Sequence, residues 1–416
     1  MTIERSIIDA ASRLRRNREA HLIATVVRVK GSAYRRPGAR MLLTQFRWIS
    51  ASVSGGCLEG DIASKAWWRT RDGEPIIMTY DSTQPENEAA DDVRAAFGIG
   101  CDGTVEVLLE RGNTPGRIDP LEIADRCLRT QKRGAVVTVI HSRVNGVKVG
   151  QRVAVVSGSE PIADPFDDIL RLAMIADANA AIASGESTLR TYNSERGSVD
   201  VFVESILPPP RAFVFGTGHD AVPVVQMMRS LGWDVSVCAP QPRIATRQRF
   251  SSVADELLVG TPEEIAARID ECDRAVAVIM NHHFDTDRDN LAMLLATRVR
   301  YIGMLGPRTR TRRMLDELEV EVDTRLHAPV GLELGAETPQ EIALAIAAEV
   351  QSVLRRAPAS NLRDRVRPIH ERPELAPMPR IAEAVEALVP FELETALGSG
   401  RVTQPYEAFD IIGAAS

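Results

Sequence analysis

An apolar run, Ala212–Phe215, leads straight into Gly216-Thr217-Gly218-His219-Asp220-Ala221 and then into a helical pattern. Few folds are open to a strand that ends on closely spaced glycines and starts a helix. The first glycine permits the turn and the second leaves room for a pyrophosphate. The small third residue lets helix lie on strand, and the helix N-terminus faces the anion. The same rhythm continues downstream. Strands are expected at Asp234–Cys238, Ala275–Met280 and Arg300–Met304, with helices over 219–231, 262–269, near 286–297 and from about 307. Alternation of this kind predicts a Rossmann-like, doubly wound parallel sheet. Thr338-Pro339-Gln340-Glu341 has a capping Thr, Pro at the first helical position and Glu at the third, so a closing helix is predicted over 339–355.

Upstream, strands and helices mix without that alternation. Helices are expected at 4–19, Leu58–Arg69, near 119–131 and 167–183. Strands are expected at His21–Val29, Met41–Leu43, Trp48–Val53, Pro75–Tyr80, Thr104–Glu110, Ala135–His141 and Arg152–Val156. Pro208-Pro209-Pro210 reads as a stiff linker. The fold class is therefore α/β, an N-terminal α+β domain over 1–207 followed by a Rossmann-like domain over 211–356. Residues 357–416, rich in proline and charge, read as a linker and loosely ordered tail. No internal repeat shows.

The formal charge of −7 gives no basic field for nucleic acid. No apolar run is long enough to span a bilayer, and Met1–Glu19 lacks the core of a signal peptide. The five cysteines are odd in number and contain no Cys-x-x-Cys pair, which fits neither a disulfide scaffold nor a zinc ribbon. A cytoplasmic protein with reduced thiols is expected.

Two of those thiols sit among glycines, in Ser54-Gly55-Gly56-Cys57-Leu58-Glu59-Gly60 and Gly98-Ile99-Gly100-Cys101-Asp102-Gly103. Glycines let backbone amides approach a ligand, and a helix N-terminus stabilises a thiolate. Cys57 and Cys101 are thus candidates to hold a soft metal or pass sulfur; the plainer reading is a small thiol fitting a crowded turn. Cys127, Cys238 and Cys272 lie in helix or strand patterns and read as interior packing. In the second domain, nicotinamide enzymes place a carboxylate at the end of the second strand for the ribose hydroxyls. Here that strand ends Val237-Cys238-Ala239-Pro240, with Arg243 and Arg247 just beyond, able to receive a phosphate. Further candidates stand where strands should end: Asn281-His282-His283, and Gly306-Pro307-Arg308. His282 could bond a ligand or move a proton, and Arg308 could clamp a phosphate. Arg310, Arg312 and Arg313 read as a solvated face. The loop from Arg325 to Glu337 concentrates His327, two glycines and carboxylates including Glu337.

These segments resemble a known family. Val26–Leu43 and Ser54–Gly60 are similar to the N-terminal domain of the xanthine dehydrogenase accessory (XdhC/CoxI) proteins, and Gly98–Glu106 to that domain's second glycine–cysteine loop. Phe215–His219, Tyr301–Arg308 and Leu326–Glu341 resemble the family's Rossmann-type domain. The resemblance covers roughly residues 5–355 and implies an accessory factor rather than an enzyme. It implies a chaperone that binds molybdenum cofactor (molybdopterin, with or without a nucleotide), protects it during sulfuration by a cysteine desulfurase, and delivers it to an apo molybdenum hydroxylase. A homodimer would shelter the ligand. Carried over, Gly55, Gly56, Cys57 and Cys101 fall on the cysteine loops, with Cys57 as the molybdenum ligand. Gly216, Gly218 and His219 fall on the glycine loop. Many relatives carry Asp at the place of Ala239. The rival expectation is an NAD(P)-dependent oxidoreductase built on Gly216–Ala221.

Overall fold

The computed structural model describes residues 5–31, 35–54, 56, 58–81, 103–239 and 243–365, which lie within one compact unit. Three sheets follow one another along the chain. The first joins β1 (Leu22–Gly31), β2 (Arg40–Leu43), β3 (Trp48–Ala51), β4 (Ile76–Asp81) and β5 (Gly103–Arg111) in the order β3-β2-β1-β5-β4. The second joins β6 (Gly134–Ser142), β7 (Arg152–Val156), β8 (Ile162–Ala163), β9 (Thr188–Ser194) and β10 (Gly197–Ile206) in the order β8-β7-β6-β10-β9. Both are antiparallel.

Those two orders are the same, and so are the helix positions. Helix α1 (Arg5–Arg16) precedes β1 and α2 (Glu59–Arg69) precedes β4, while α3 (Pro120–Thr130) precedes β6 and α4 (Asp168–Ser184) precedes β9. The correspondence reaches single residues. Thr25 pairs with Leu108 and Arg40, and Thr138 pairs with Phe202 and Arg152. A register slip passes over Val27 in β1 and over Ile140 in β6, and both bulged side chains enter one small core with Leu108 and Phe202. The amides of Gly38 and Gly150, both at positive φ, donate to the carbonyls of Val26 and Val139. The N-terminal half is therefore a tandem repeat. No internal repeat is expected from the sequence; strand order and register reveal it.

The copies are joined by exchanged ion pairs. Arg40 donates to Glu204 at 2.6 and 2.5 Å, and Arg152 to Glu110 at 2.7 Å, all four side chains buried. Arg40 and Arg152 hold equivalent places, as do Glu110 and Glu204, so the two bridges are one interaction used twice. Between the sheets Arg28 reaches Asp200 at 2.7 Å, and His141 reaches Glu106 at 2.8 Å. Burial opposes ionisation of Asp200, but hydrogen bonds from Arg28 and Thr191 outweigh it and hold the carboxyl below its ordinary value.

The third sheet is parallel throughout, in the order β13-β12-β11-β14-β15-β16. Its strands are β11 (Arg211–Phe215), β12 (Asp234–Cys238), β13 (Glu256–Leu258), β14 (Ala275–Ile279), β15 (Ile302–Met304) and β16 (Leu326–His327). One face is covered by α5 (Ala221–Ser230), α6 (Ile244–Phe250) and α10 (Pro339–Arg355), through Val224, Met228, Phe250 and Ile346. The other is covered by α7 (Pro262–Asp270), α8 (Phe284–Leu295) and α9 (Arg308–Leu318), through Ile269, Leu291 and Met314. This is the doubly wound arrangement expected. The capping box predicted at Thr338 and Glu341 starts α10.

Pro208–Pro210, read as a linker, is buried between the halves, where the Pro208 carbonyl accepts from Arg274 at 2.9 Å. Arg5 and Gln131 both hold Asp234, and Arg133 holds Asp273 at 2.5 Å. These contacts fall at the N-terminal ends of the parallel strands. Cys127, Cys238 and Cys272 are buried free thiols, as expected of packing residues, and burial pushes Cys127 up to about 12. Among the described residues no helix is long and apolar enough to cross a membrane.

Candidate functional site

The carboxyl end of the parallel sheet gathers most of the residues singled out in the second half. β11 and β14 are neighbours, and the Met280 amide donates to the Phe215 carbonyl at 2.7 Å, so the segments leaving these strands run side by side. Gly216 is required by space there: a Cβ would stand 2.7 Å from the Met280 carbonyl oxygen. A Cβ on Gly218 would collide with the Asp220 carboxylate. That carboxylate is held, because Asp220 Oδ2 lies 2.6 Å from His282 Nε2. His282 itself sits at φ 64°, a left-handed conformation uncommon outside glycine. The glycine loop and the turn after β14 are thus pinned together at the head of α5.

A cation lies across the loop. Arg249, on α6, donates to the Thr217 carbonyl and stands 3.1 Å from His219 Nε2. Arg243 and Arg247, the arginines considered from the sequence, are exposed, and neither has a side-chain bond to the loop. Sequence reasoning misses Arg249; its signal is a position two residues further along the same short helix. The neighbouring strand β12 runs on to Ala239, a buried methyl group with no carboxylate. The loop is consequently lined by an arginine, two histidines and the Asp220 carboxylate that His282 holds, with Arg249 available to meet a phosphate and no acceptor at the end of β12 for ribose hydroxyls.

The next turn is braced by an ion pair. Asp287 is fully buried, accepts from the Asn281 side chain at 3.0 Å, and receives Arg310 at 2.8 Å. Arg310 therefore ties α9 to α8 and is not the solvated residue expected. Arg308 stands exposed at the start of α9, at the carboxyl end of β15.

His327 is half-buried and already engaged. It stacks on Tyr301 at 4.5 Å, and its Nδ1 lies 3.3 Å from Glu349. Glu349 also accepts from the Tyr301 hydroxyl and from the Gly331 amide, at 2.5 and 2.8 Å. The carboxylate gathers these groups and fixes the Arg325–Glu337 loop to α10. Glu337 is exposed, its amide donating to the Glu341 side chain at 2.9 Å.

In the N-terminal half, Gly55, Cys57 and Cys101 lie outside the described residues. Their neighbours form a closed network. Val53 and Ser54 donate through their amides to Glu59 at 3.1 and 2.8 Å, and the Ser54 hydroxyl donates at 2.5 Å. The amides of Gly56 and Leu58 donate back to that hydroxyl at 3.2 and 3.0 Å. Gly56 takes φ 119°, open to glycine alone in practice. β4 ends at Asp81 and β5 begins at Gly103, beside Lys30 and Gly31 where β1 finishes, whereas β3 ends at Ala51, level with Ala24 near the start of β1. In this repeat residues 52–58 come between β3 and α2, and 82–102 between β4 and β5. In the second repeat the matching connections are short: Asp164–Asp167, and a turn at Glu195-Arg196. Only the first copy carries long glycine–cysteine segments. Burial raises Glu59, but its bonds from Ser54 and neighbouring amides outweigh this and hold the carboxyl below its ordinary value. A group depressed in the folded state contributes stability above its unfolded value, about 4.3, and loses it as pH falls through the folded one. Protection of the Ser54 and Leu58 amides, relative to the unfolded chain at the same pH, should accordingly fall below about pH 4, and Glu59→Gln should show the lowered protection already at pH 7.

Residues 213–350 match the XdhC Rossmann domain, and residues 14–81 match the XdhC and CoxI family. The chain is 30% identical over 349 residues to a probable xanthine dehydrogenase subunit of Bacillus subtilis, an alignment spanning 83% of this chain and 96% of that one. The chain belongs to the XdhC and CoxI family. This XdhC/CoxI chain is also similar to a xanthine dehydrogenase of Bacillus halodurans known from its crystal structure. The TM-score is 0.65 at 27% identity, covering 86% of this chain and 98% of that one. A shorter match, 31% identical over 168 residues, is to the uncharacterized protein YqeB of Escherichia coli, covering 39% of this chain and 30% of that one.

Proposed function

We propose that this XdhC/CoxI chain is a chaperone for molybdenum cofactor, serving as an accessory factor to a xanthine dehydrogenase-type molybdenum hydroxylase. The observation that carries the reading is the glycine loop crossed by Arg249 beside a strand end, Ala239, that has no carboxylate. Such a site suits the phosphate or pyrophosphate of a pterin cofactor better than the ribose of NAD. The names of the Bacillus relatives point to the same enzyme system.

In this reading Gly216 and Gly218 leave room for the phosphate end, Arg249 and His219 neutralise it, and His282 holds the loop through Asp220. Cys57 and Cys101, in the segments that follow β3 and β4 in the chain, are the thiols offered to the metal, with Cys57 the ligand or sulfur acceptor. Bound, the cofactor supplies a molybdenum centre whose terminal sulfido ligand is installed before delivery. Residues 1–207 present the thiols, 211–356 take the phosphate, and 357–416 form a tail. The partners are an apo molybdenum hydroxylase and a cysteine desulfurase in the cytoplasm, and the carrier is a homodimer.

A second reading, an NAD(P)-dependent oxidoreductase, rests on the same loop and on His282. The two part on one experiment. Protein purified without oxygen is given molybdenum cofactor, freed of excess, and assayed for retained molybdenum and oxidised pterin fluorescence, with NAD(P) binding in parallel. Molybdenum and pterin retained in a fixed ratio are expected. No retention alongside tight NAD(P) binding would establish the oxidoreductase.

A further inference from the structure

At the opposite end of the parallel sheet from the glycine loop, five arginines line one crevice of about 470 Å³: Arg274, Arg298, Arg300, Arg325 and Arg356. Val299, Val353 and Leu354 form its apolar wall. β11 separates the two ends by five residues, about 16 Å at about 3.3 Å each. So many cations run against the chain's formal charge of −7.

Arg274 decides the character of the place. It is only 6% exposed, and its one side-chain hydrogen bond goes to a neutral acceptor, the Pro208 carbonyl. Among the described residues no carboxylate forms an ion pair with it. A buried charge without a counter-charge is costly, by several kcal/mol on general grounds. Burial weakens its hold on its proton, Arg355 and Arg300 weaken it further, and Asp273 offsets this only in part. An arginine does not give up its proton in a protein, so these effects register as strain on the site and are relieved by an anion.

The carboxylates nearby are already engaged. Asp273 serves Arg133 at 2.5 Å and Arg300 at 3.2 Å, and Asp323 serves Arg325 at 2.7 Å. Arg325 also donates to the carbonyls of Leu295, Thr297 and Val299 and is a fixed wall. Arg298 and Arg356 are exposed, with no side-chain ion pair among the described residues. The C-terminus of α10 points here with about half a negative charge, which offsets only part of the excess.

We propose that this crevice is a second anion site, which takes a diphosphate, either as inorganic pyrophosphate or as the diphosphate of a nucleotide. Guanidinium groups bind phosphate oxygens in pairs. Arg274 at the floor and Arg298 and Arg356 at the rim supply those groups, and the aliphatic wall covers a base where there is one. A volume of this size is that of a small-ligand pocket.

The test is calorimetric titration of the full-length protein with pyrophosphate and, separately, ADP, in low salt. Both are expected to bind, with affinity falling steeply as salt rises. An ADP affinity at least ten-fold above that of pyrophosphate identifies the nucleotide as the ligand; equal affinities identify the diphosphate alone. In Gly216→Val, which closes the glycine loop to an anion, one pyrophosphate site should remain, and adding Arg298→Ala/Arg356→Ala should weaken that site about ten-fold or more (about 1.4 kcal/mol). Arg274→Met should melt at a higher temperature than wild type without ligand, yet show no further rise with pyrophosphate. Absence of binding by both probes at millimolar concentration overturns the proposal. So does binding that survives the arginine double variant and disappears in Gly216→Val, which would assign the anion to the glycine loop.

Discussion

Cys57→Ala, purified without oxygen, should retain at least about ten-fold less molybdenum than wild type while its melting temperature stays unchanged. The expectation follows from the bonds among its described chain neighbours. Glu59, Ser54 and the amides of Val53, Gly56 and Leu58 bond to one another, and none of these bonds uses the Cys57 side chain. Pterin retention should fall less than molybdenum retention if the phosphate end is held at the glycine loop. Activation of an apo hydroxylase should fall with the metal. A variant that retains and delivers cofactor as wild type would remove Cys57 from the mechanism and leave Cys101 to be tested in the same way. Gly216→Val is the complementary variant, since its side chain would collide with the Met280 carbonyl. It should lower pterin and molybdenum retention together.

Arg40→Ala should destabilise the protein by about 3–5 kcal/mol, read as a lowered urea midpoint in equilibrium unfolding. The loss is large because Glu204 would be left charged and alone in the interior, with both side chains now under 5% exposed. Replacing both partners by apolar residues, Arg40→Met with Glu204→Leu, should recover most of it, since an ion pair of this kind spends much of its attraction on desolvation. Arg152→Ala should have a similar effect, because Arg152 and Glu110 form the equivalent pair in the other direction. Near-neutral effects at both sites would mean that the interior between the sheets is wet, and that the exchanged bridges do not hold the repeats together.

Much of the architecture was legible. Strand, glycine loop and helix at 212–231, the strand–helix alternation after it, and the capping box at Thr338 are local signals, and each produced the element expected. Short or polar elements were not legible. β13 has three residues and β16 two, too few for periodicity to register, and α6 carries polar residues over most of its length. β10 is absent from the expected strands although Val199, Val201 and Val203 recur at every second position, as one face of a strand should.

The candidate site divides along the same line. Gly216, Gly218, His219 and His282 could be named from the chain because turn chemistry and strand ends are written locally. Arg249 could not be separated from Arg243 and Arg247, since which arginine of one helix reaches a loop 30 residues away depends on the angle of that helix. His327 looked like a ligand by type and company, but Tyr301 and Glu349 claim it from two other elements.

By itself, then, the sequence determined the parallel sheet, its glycine loop and the two thiol-bearing segments, because hydrophobic period, glycine spacing and helix caps act between near neighbours. The tertiary structure decided the rest. The duplication of the N-terminal half, the exchange of Arg40–Glu204 for Arg152–Glu110, and the gathering of arginines at the far end of the sheet all join residues distant in the chain. Burial makes those partners matter, and burial depends on how the elements come together.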